Sequence, residues 1–101
     1  MRKYNYVYIT TNKINGKFYI GKHSTDNLND NYLGSGIMLN KAIKKYGKEN
    51  FKKRILCFCE SEEEAFEVEK FLVTEYIVSR EDCYNLHIGG DGGKMNPEIC
   101  R

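Results

Sequence analysis

Tyr6-Val7-Tyr8-Ile9-Thr10-Thr11-Asn12-Lys13-Ile14-Asn15-Gly16-Lys17-Phe18-Tyr19-Ile20-Gly21 is the stretch on which the reading of this chain turns. Two runs of aromatic and β-branched residues flank an Asn/Gly-bearing corner, the pattern of a β-hairpin. The predicted strands lie near residues 5–10 and 17–21, with Asn15-Gly16 at the tight corner. Side chains alternate across a strand, so Tyr6 and Tyr8 share one face, Val7 and Ile9 take the other, and Phe18 and Ile20 oppose Tyr19. The hairpin therefore presents tyrosines on one side. Tyrosine is a favoured strand residue, and such rings also serve simply as amphipathic cover for a sheet.

Outward from the hairpin, residues 1–4 form a short basic lead-in, while Lys22-His23-Ser24-Thr25 and the polar tract Asp26–Asn31 lack an apolar period and read as a surface loop. Tyr32-Leu33-Gly34-Ser35-Gly36 ends that loop, with Ser35 as a candidate N-cap. Leu39, Ala42, Ile43 and Tyr46 recur at the spacing of one helix face, predicting a helix over Ile37–Tyr46 that carries Lys41, Lys44 and Lys45 off that face and stops at Gly47. Phe51–Cys59 reads as a third strand. Ser61-Glu62-Glu63-Glu64 is a capping box that opens a second helix, expected to run to about Val78. The elements come in the order β-β-α-β-α.

Ala65, Phe66, Val68, Leu72, Val73, Tyr76 and Ile77 form one broad apolar arc of that second helix, and Glu69 falls in its middle. A carboxylate turned toward an apolar interior costs several kcal/mol unless paired, hydrogen-bonded or metal-bound. Its position fits a buried ion pair, a place at the edge of a tilted helix, or a metal ligand facing the tyrosines. Further on, Cys83–Ile88 reads as a short extended segment. Gly89-Gly90-Asp91-Gly92-Gly93 is too glycine-dense for helix or strand and reads as a flexible exit, its spacing matching no phosphate-binding loop.

With 101 residues the chain makes one small domain with a single modest core. No long apolar run or signal-peptide core is present, so neither a membrane span nor secretion is expected. Of the four cysteines, Cys57 and Cys59 lie on one face of a predicted strand, and no Cys-x-x-Cys pair occurs with Cys83 or Cys100. Free intracellular thiols are the first reading, and zinc or a disulfide the second. Net charge is +2, but residues 1–58 hold twelve Lys/Arg against three Asp/Glu, and residues 59–101 hold four against eleven. Such asymmetry suits a basic face over phosphates, or else a mixed, solvated surface.

The motifs, taken together, resemble the GIY-YIG nuclease family. Tyr6-Val7-Tyr8 stands in the place of Gly-Ile-Tyr and Tyr19-Ile20-Gly21 in that of Tyr-Ile-Gly. Tyr32-Leu33-Gly34-Ser35-Gly36, Lys45–Phe51, Glu69, Tyr84-Asn85-Leu86 and the glycine loop follow in the order seen in phage-type homing endonucleases of that family. The resemblance implies a compact α/β (α+β) domain over residues 1–93, with a small three-stranded antiparallel sheet flanked by helices. Residues 94–101 would then be a tail or the start of a missing DNA-binding part. It implies metal-dependent hydrolysis of phosphodiester bonds in double-stranded DNA, by a monomer or a transient dimer on DNA, inside a phage-infected bacterial host.

In the implied mechanism Tyr8 helps deprotonate the attacking water, Tyr19 positions water or phosphate, Glu69 holds one Mg²⁺ or Mn²⁺, and the Asn85 amide fixes the site or contacts phosphate. Many members carry an arginine after the Tyr-Ile-Gly strand; here none stands there, which leaves the cationic role to Lys22 and His23, or to Arg54. Tyr32 and Ser35 are candidate phosphate contacts. Lys41, Lys44, Lys45 and Arg54 are candidates for binding the DNA backbone. The rival from another class is a non-catalytic DNA-binding module that retains the fold; a cysteine-zinc interaction domain comes third.

Overall fold

The computed structural model describes residues 3–86. β1 (Tyr4–Asn12) and β2 (Phe18–Thr25) form the hairpin, followed by α1 (Ile37–Tyr46), β3 (Phe51–Cys59), α2 (Glu62–Leu72) and a short α3 (Glu75–Val78). The three strands make one antiparallel sheet in the order β2-β1-β3. The expected three-stranded sheet and β-β-α-β-α order hold, with α3 added. The glycine-dense stretch Gly89–Gly93, Cys100 and the 94–101 tail lie outside the described residues.

As the central strand, β1 is covered on both faces, and this is where β-branched and aromatic residues fit best. Register sets what each face carries. Val7 and Ile9 stand opposite Lys22 and Ile20 of β2, whereas Tyr6, Tyr8 and Thr10 stand opposite His23, Gly21 and Tyr19. The Val7 face packs Val7 and Ile20 against Ala65 and Val73. On the tyrosine face, Leu39 and Ala42 of α1 cluster with Phe51 and Tyr84, and Tyr19 and Leu33 pack beside them. The sheet is thus flanked by α1 on one side and α2 on the other.

The hairpin turn places Gly16 at φ +77°, in the left-handed region that glycine enters without a Cβ clash. Its corner is closed by Gly16 donating its N–H to the Asn12 carbonyl at 2.8 Å and by Lys17 donating to the Asn15 side chain at 2.9 Å. Both strands outrun their expected lengths. Lys22–Thr25, expected in the loop, belong to β2 because they pair with Tyr4–Val7, so sheet pairing overrides their polar composition.

Two further expectations change. Ser35 does not cap α1: Gly36 is the N-cap residue, with no side-chain cap, and Asn40 donates back to the Gly36 carbonyl at 2.8 Å. The second helix does not run unbroken to Val78. It ends at Leu72, and Thr74 caps α3 by accepting from the Ile77 N–H; the β-branched Val73-Thr74 pair is poor for a helix interior and Thr is good at a cap. Tyr76, assigned to the apolar arc, is consequently exposed. The serine half of the capping box forms, with Glu64 N–H donating to Ser61 Oγ at 3.0 Å, while the Glu64 carboxylate reaches back one residue further and accepts from the Glu60 N–H.

Candidate active site

The tyrosine face gathers aromatic rings at edge-to-face distances. Tyr6 and Tyr8 lie 5.9 Å apart by ring centroids, Tyr8 and Tyr19 6.3 Å, and Tyr8 and Tyr32 6.0 Å. Strand alternation delivers the first three, and the loop after β2 brings Tyr32 back over them. That loop is pinned by Thr10, whose hydroxyl donates to the Leu33 carbonyl at 2.7 Å. His23 stacks flat on Tyr32, with centroids 3.7 Å apart and planes 7° from parallel, and its Nε2 meets Asp30 Oδ2 at 2.8 Å.

From β3, Lys53 enters the same cluster. Its Nζ donates to Tyr6 Oη at 2.6 Å and sits 4.9, 5.6 and 6.0 Å from the ring centroids of Tyr6, Tyr8 and Tyr32. These are cation–π distances.

Burial dominates the electrostatics. It pushes the Tyr8 phenol far above its ordinary value, with the neighbouring tyrosines adding to the effect, so Tyr8 is a neutral phenol at physiological pH. Burial also raises Tyr19; a hydrogen bond with Ser35 pulls the other way, and the charge of Glu69 adds to the rise. Tyr6 is pushed up to about 12, first by burial and then by Asp30. The hydrogen bond to His23 holds Asp30 down at about 2. Lys53 is depressed by burial, with Asp30 opposing.

The sequence-predicted residues divide by face. Tyr8, Tyr19, His23 and Tyr32 come together, and Ser35 bonds Tyr19 at their border. Glu69 of α2 is half-buried and close enough for its charge to act on Tyr19. Lys22, opposite Val7, and Arg54, opposite Ile9, are exposed on the other face. Each is the neighbour, one residue off, of a side chain that does reach the cluster. Lys41, Lys44 and Lys45 are exposed along α1, on the helix that flanks the tyrosine face.

Asn85 is buried and spends its amide on the backbone of β2. It accepts from the Ile20 N–H at 2.9 Å and donates to the Ile20 carbonyl at 2.8 Å. The same segment pairs with Phe18, which donates to the Asp82 carbonyl at 2.8 Å and accepts from the Tyr84 N–H at 2.7 Å. The side chain of Asn85 thus continues a short parallel pairing along the free edge of β2.

Lys53 and Asp30 belong to the cluster without having been singled out by sequence, and Tyr6, placed on the tyrosine face by alternation, joins it without having been given a role. Alternation offered a signal for Lys53: Phe51 and Ile55 are apolar, and Lys53 shares their side of the strand. A bulge shifts the β1–β3 register between Val7 and Tyr8, leaving Lys53 and Ile55 on the tyrosine face while Cys57 turns to the Val7 face. Asp30 sits in a polar tract with no periodic signal. Cys57, Cys59 and Cys83 are free thiols, and among the described residues no three His, Cys, Asp or Glu side chains gather as a metal cage would.

Residues 4–80 match the model of the GIY-YIG catalytic domain. Among curated proteins, the chain is similar to three from Enterobacteria phage T4. Endonuclease segA is 52% identical over 93 residues, covering 92% of this chain and 42% of that one. The T4 chain segB is 54% identical over 88 residues, covering 87% and 40%, and segE is 52% identical over 90 residues, covering 89% and 44%. The chain therefore spans less than half the length of these relatives. No solved structure matches it significantly.

Proposed function

Because the chain belongs to the GIY-YIG catalytic-domain family and is homologous to the T4 seg endonucleases, we propose that it cuts phosphodiester bonds of double-stranded DNA with the help of one divalent cation. The observation that carries this reading is the convergence of Tyr8, Tyr19 and His23 on one sheet face, with the charge of Glu69 acting on Tyr19. A hairpin face of tyrosines alone would be packing. A carboxylate of α2 whose charge acts on Tyr19 adds what phosphodiester hydrolysis requires.

Glu69 is the residue that would hold the cation. One half-buried carboxylate suits Mg²⁺ or Mn²⁺, which binds through one or two carboxylates and keeps several waters. Bound there, the ion supplies Lewis-acid compensation for the charge on phosphate and leaving oxygen. Tyr8, a neutral phenol hydrogen-bonded to Tyr32, orients the attacking water with its oxygen, and takes that water's proton only while passing its own phenolic proton on through Tyr32 to solvent. Tyr19, tied to Ser35, holds a phosphate oxygen. His23 takes the place of the family's arginine, its ring fixed by Asp30 and by the Tyr32 stack. Asn85 positions Tyr19 and Gly21 through Ile20 between them.

Lys41, Lys44 and Lys45 supply backbone contacts on the DNA, a salt-dependent and sequence-tolerant contribution. No helix among the described residues is long and apolar enough to cross a membrane, and action on DNA in the cytoplasm of a phage-infected bacterium fits the T4 relatives. A monomer suffices for nicking, and a transient dimer on DNA for cutting both strands.

The test is conversion of supercoiled plasmid to nicked and linear forms with Mg²⁺, with Mn²⁺ and with chelator. Metal-dependent cutting that is lost in Glu69→Ala and Tyr8→Phe supports the reading. Retained DNA binding with no cutting under any condition leaves a DNA-binding module with the family fold instead.

A further inference from the structure

Lys53 is half-buried, and its ammonium bonds a neutral phenol rather than a carboxylate. His23–Asp30 and Arg80–Asp82 are ion pairs, and Lys53 is in neither. An ammonium carries three donors, and Tyr6 Oη takes one, at 2.6 Å. The rings of Tyr6, Tyr8 and Tyr32 hold the charge by their faces. Such an environment compensates a cation only in part, so an incoming anion gains more here than at a solvated lysine.

The anion that reaches this face is a phosphate, if the nuclease reading holds, and this inference rests on that reading. We propose that Lys53 is a catalytic residue which β3 brings to the site, its ammonium contacting a non-bridging oxygen of the scissile phosphate beside Tyr8. Tyr6, standing where the family motif has glycine, is its positioning residue: the phenol oxygen fixes the end of a side chain that otherwise has four rotatable bonds. Lys53, with His23 on the same face, stands in for the arginine that many family members carry. The negative charge of Asp30 acts on Tyr6 and Lys53 as well as His23, and it keeps the site from being strongly cationic.

The experiment compares the parent chain with Lys53→Met and Lys53→Gln, the tyrosine circular dichroism in the near ultraviolet verifying that each variant folds. Single-turnover cutting of a short duplex is measured at saturating protein with Mg²⁺, and binding of the same duplex is measured with Ca²⁺. Removing one group that stabilises transition-state charge lowers the rate on the order of 100- to 1,000-fold. That loss, with binding changed less than about tenfold, is the expected result. A saturated rate within about threefold of the parent overturns the proposal, whether or not binding weakens, and leaves the nuclease reading intact.

A second readout does not depend on cutting. The Lys53 Cε resonance in protein labelled at lysine, identified by its loss in Lys53→Met, is followed as duplex is added without divalent metal. Saturable movement of that resonance supports an anion site at Lys53 even if the parent cuts nothing and the nuclease reading falls. A resonance that stays still as the tyrosine signals shift overturns it.

Discussion

Asn85 closes its amide on the backbone of Ile20, accepting the N–H at 2.9 Å and donating to the carbonyl at 2.8 Å. Ile20 lies between Tyr19 and Gly21, so this one side chain fixes the edge of β2 at the centre of the tyrosine motif. Asn85→Leu leaves two buried backbone groups unsatisfied, at a cost of about 2–3 kcal/mol. The expected outcome is a lower urea midpoint with an unchanged slope, and cutting reduced no further than the displacement of Tyr19 requires. A full loss of cutting in a variant that keeps its midpoint would instead assign Asn85 a direct contact with the phosphate.

Glycines beside the tyrosines act through space. A Cβ on Gly21 would lie 2.7 Å from Tyr8 Oη and 2.9 Å from Tyr19 Cε2, and one on Gly36 would lie 2.6 Å from Tyr19 Cε1. Gly21→Ala is therefore expected to move both hydroxyls, costing about 1–3 kcal/mol of overpacking and more in cutting rate than in stability. Gly16→Ala is the contrast. It sits at φ +77° with nothing within 4 Å, so backbone strain of about 1 kcal/mol is expected with the cutting rate unchanged. Thermal melts and single-turnover rates on the two variants separate the effects.

The hairpin was legible in the sequence because alternation is a local rule, and the two faces follow from Tyr6-Val7-Tyr8 alone. The start of α2 was legible for the same reason, since Ser61 and Glu64 are three residues apart. What local rules could not supply was pairing. Lys22 and His23 look equivalent after Gly21, yet β2 continues to Thr25 and sends them to opposite faces. Arg54 looks the better cation than Lys53, yet the register beyond the β1–β3 bulge chooses Lys53. Asp30 is visible only once the loop has folded back onto His23.

Alkaline pH should unfold the protein earlier than its tyrosine content alone suggests. In the unfolded chain tyrosines ionise near the ordinary value of 10.0, whereas native Tyr6 keeps its proton until about 12 and Tyr8 beyond that. Above pH 10 the unfolded state thus binds fewer protons, and each such tyrosine lowers stability by up to about 1.4 kcal/mol per pH unit. Lys53, depressed below 10.5 by burial, contributes the opposite sign just below its ordinary value. Urea titrations at pH 9, 10 and 11 are expected to show falling midpoints, and Tyr8→Phe to flatten the slope.

The assembly of His23, Tyr32 and Asp30 yields the last expectation. The imidazole is clamped on two sides, by a ring stack at 3.7 Å and by a carboxylate contact at 2.8 Å. Asp30→Asn keeps a hydrogen-bonding group but removes the charge, a loss of about 1.5 kcal/mol for a charge-assisted bond, or roughly tenfold in rate. Tyr32→Leu removes the stack and should release His23 from its ring-current shift, whereas Tyr32→Phe keeps that shift and loses only the hydrogen bond to Tyr8. Because Asp30 sits at about 2 in the fold against 3.8 when unfolded, its stabilisation is present above pH 3.8 and disappears as pH falls toward 2. Proton NMR of the His23 ring, with cutting rates on the same variants, tests all three. A His23 signal unmoved in Tyr32→Leu, with a parental rate in Asp30→Asn, would remove His23 from the site and leave its cationic work to β3.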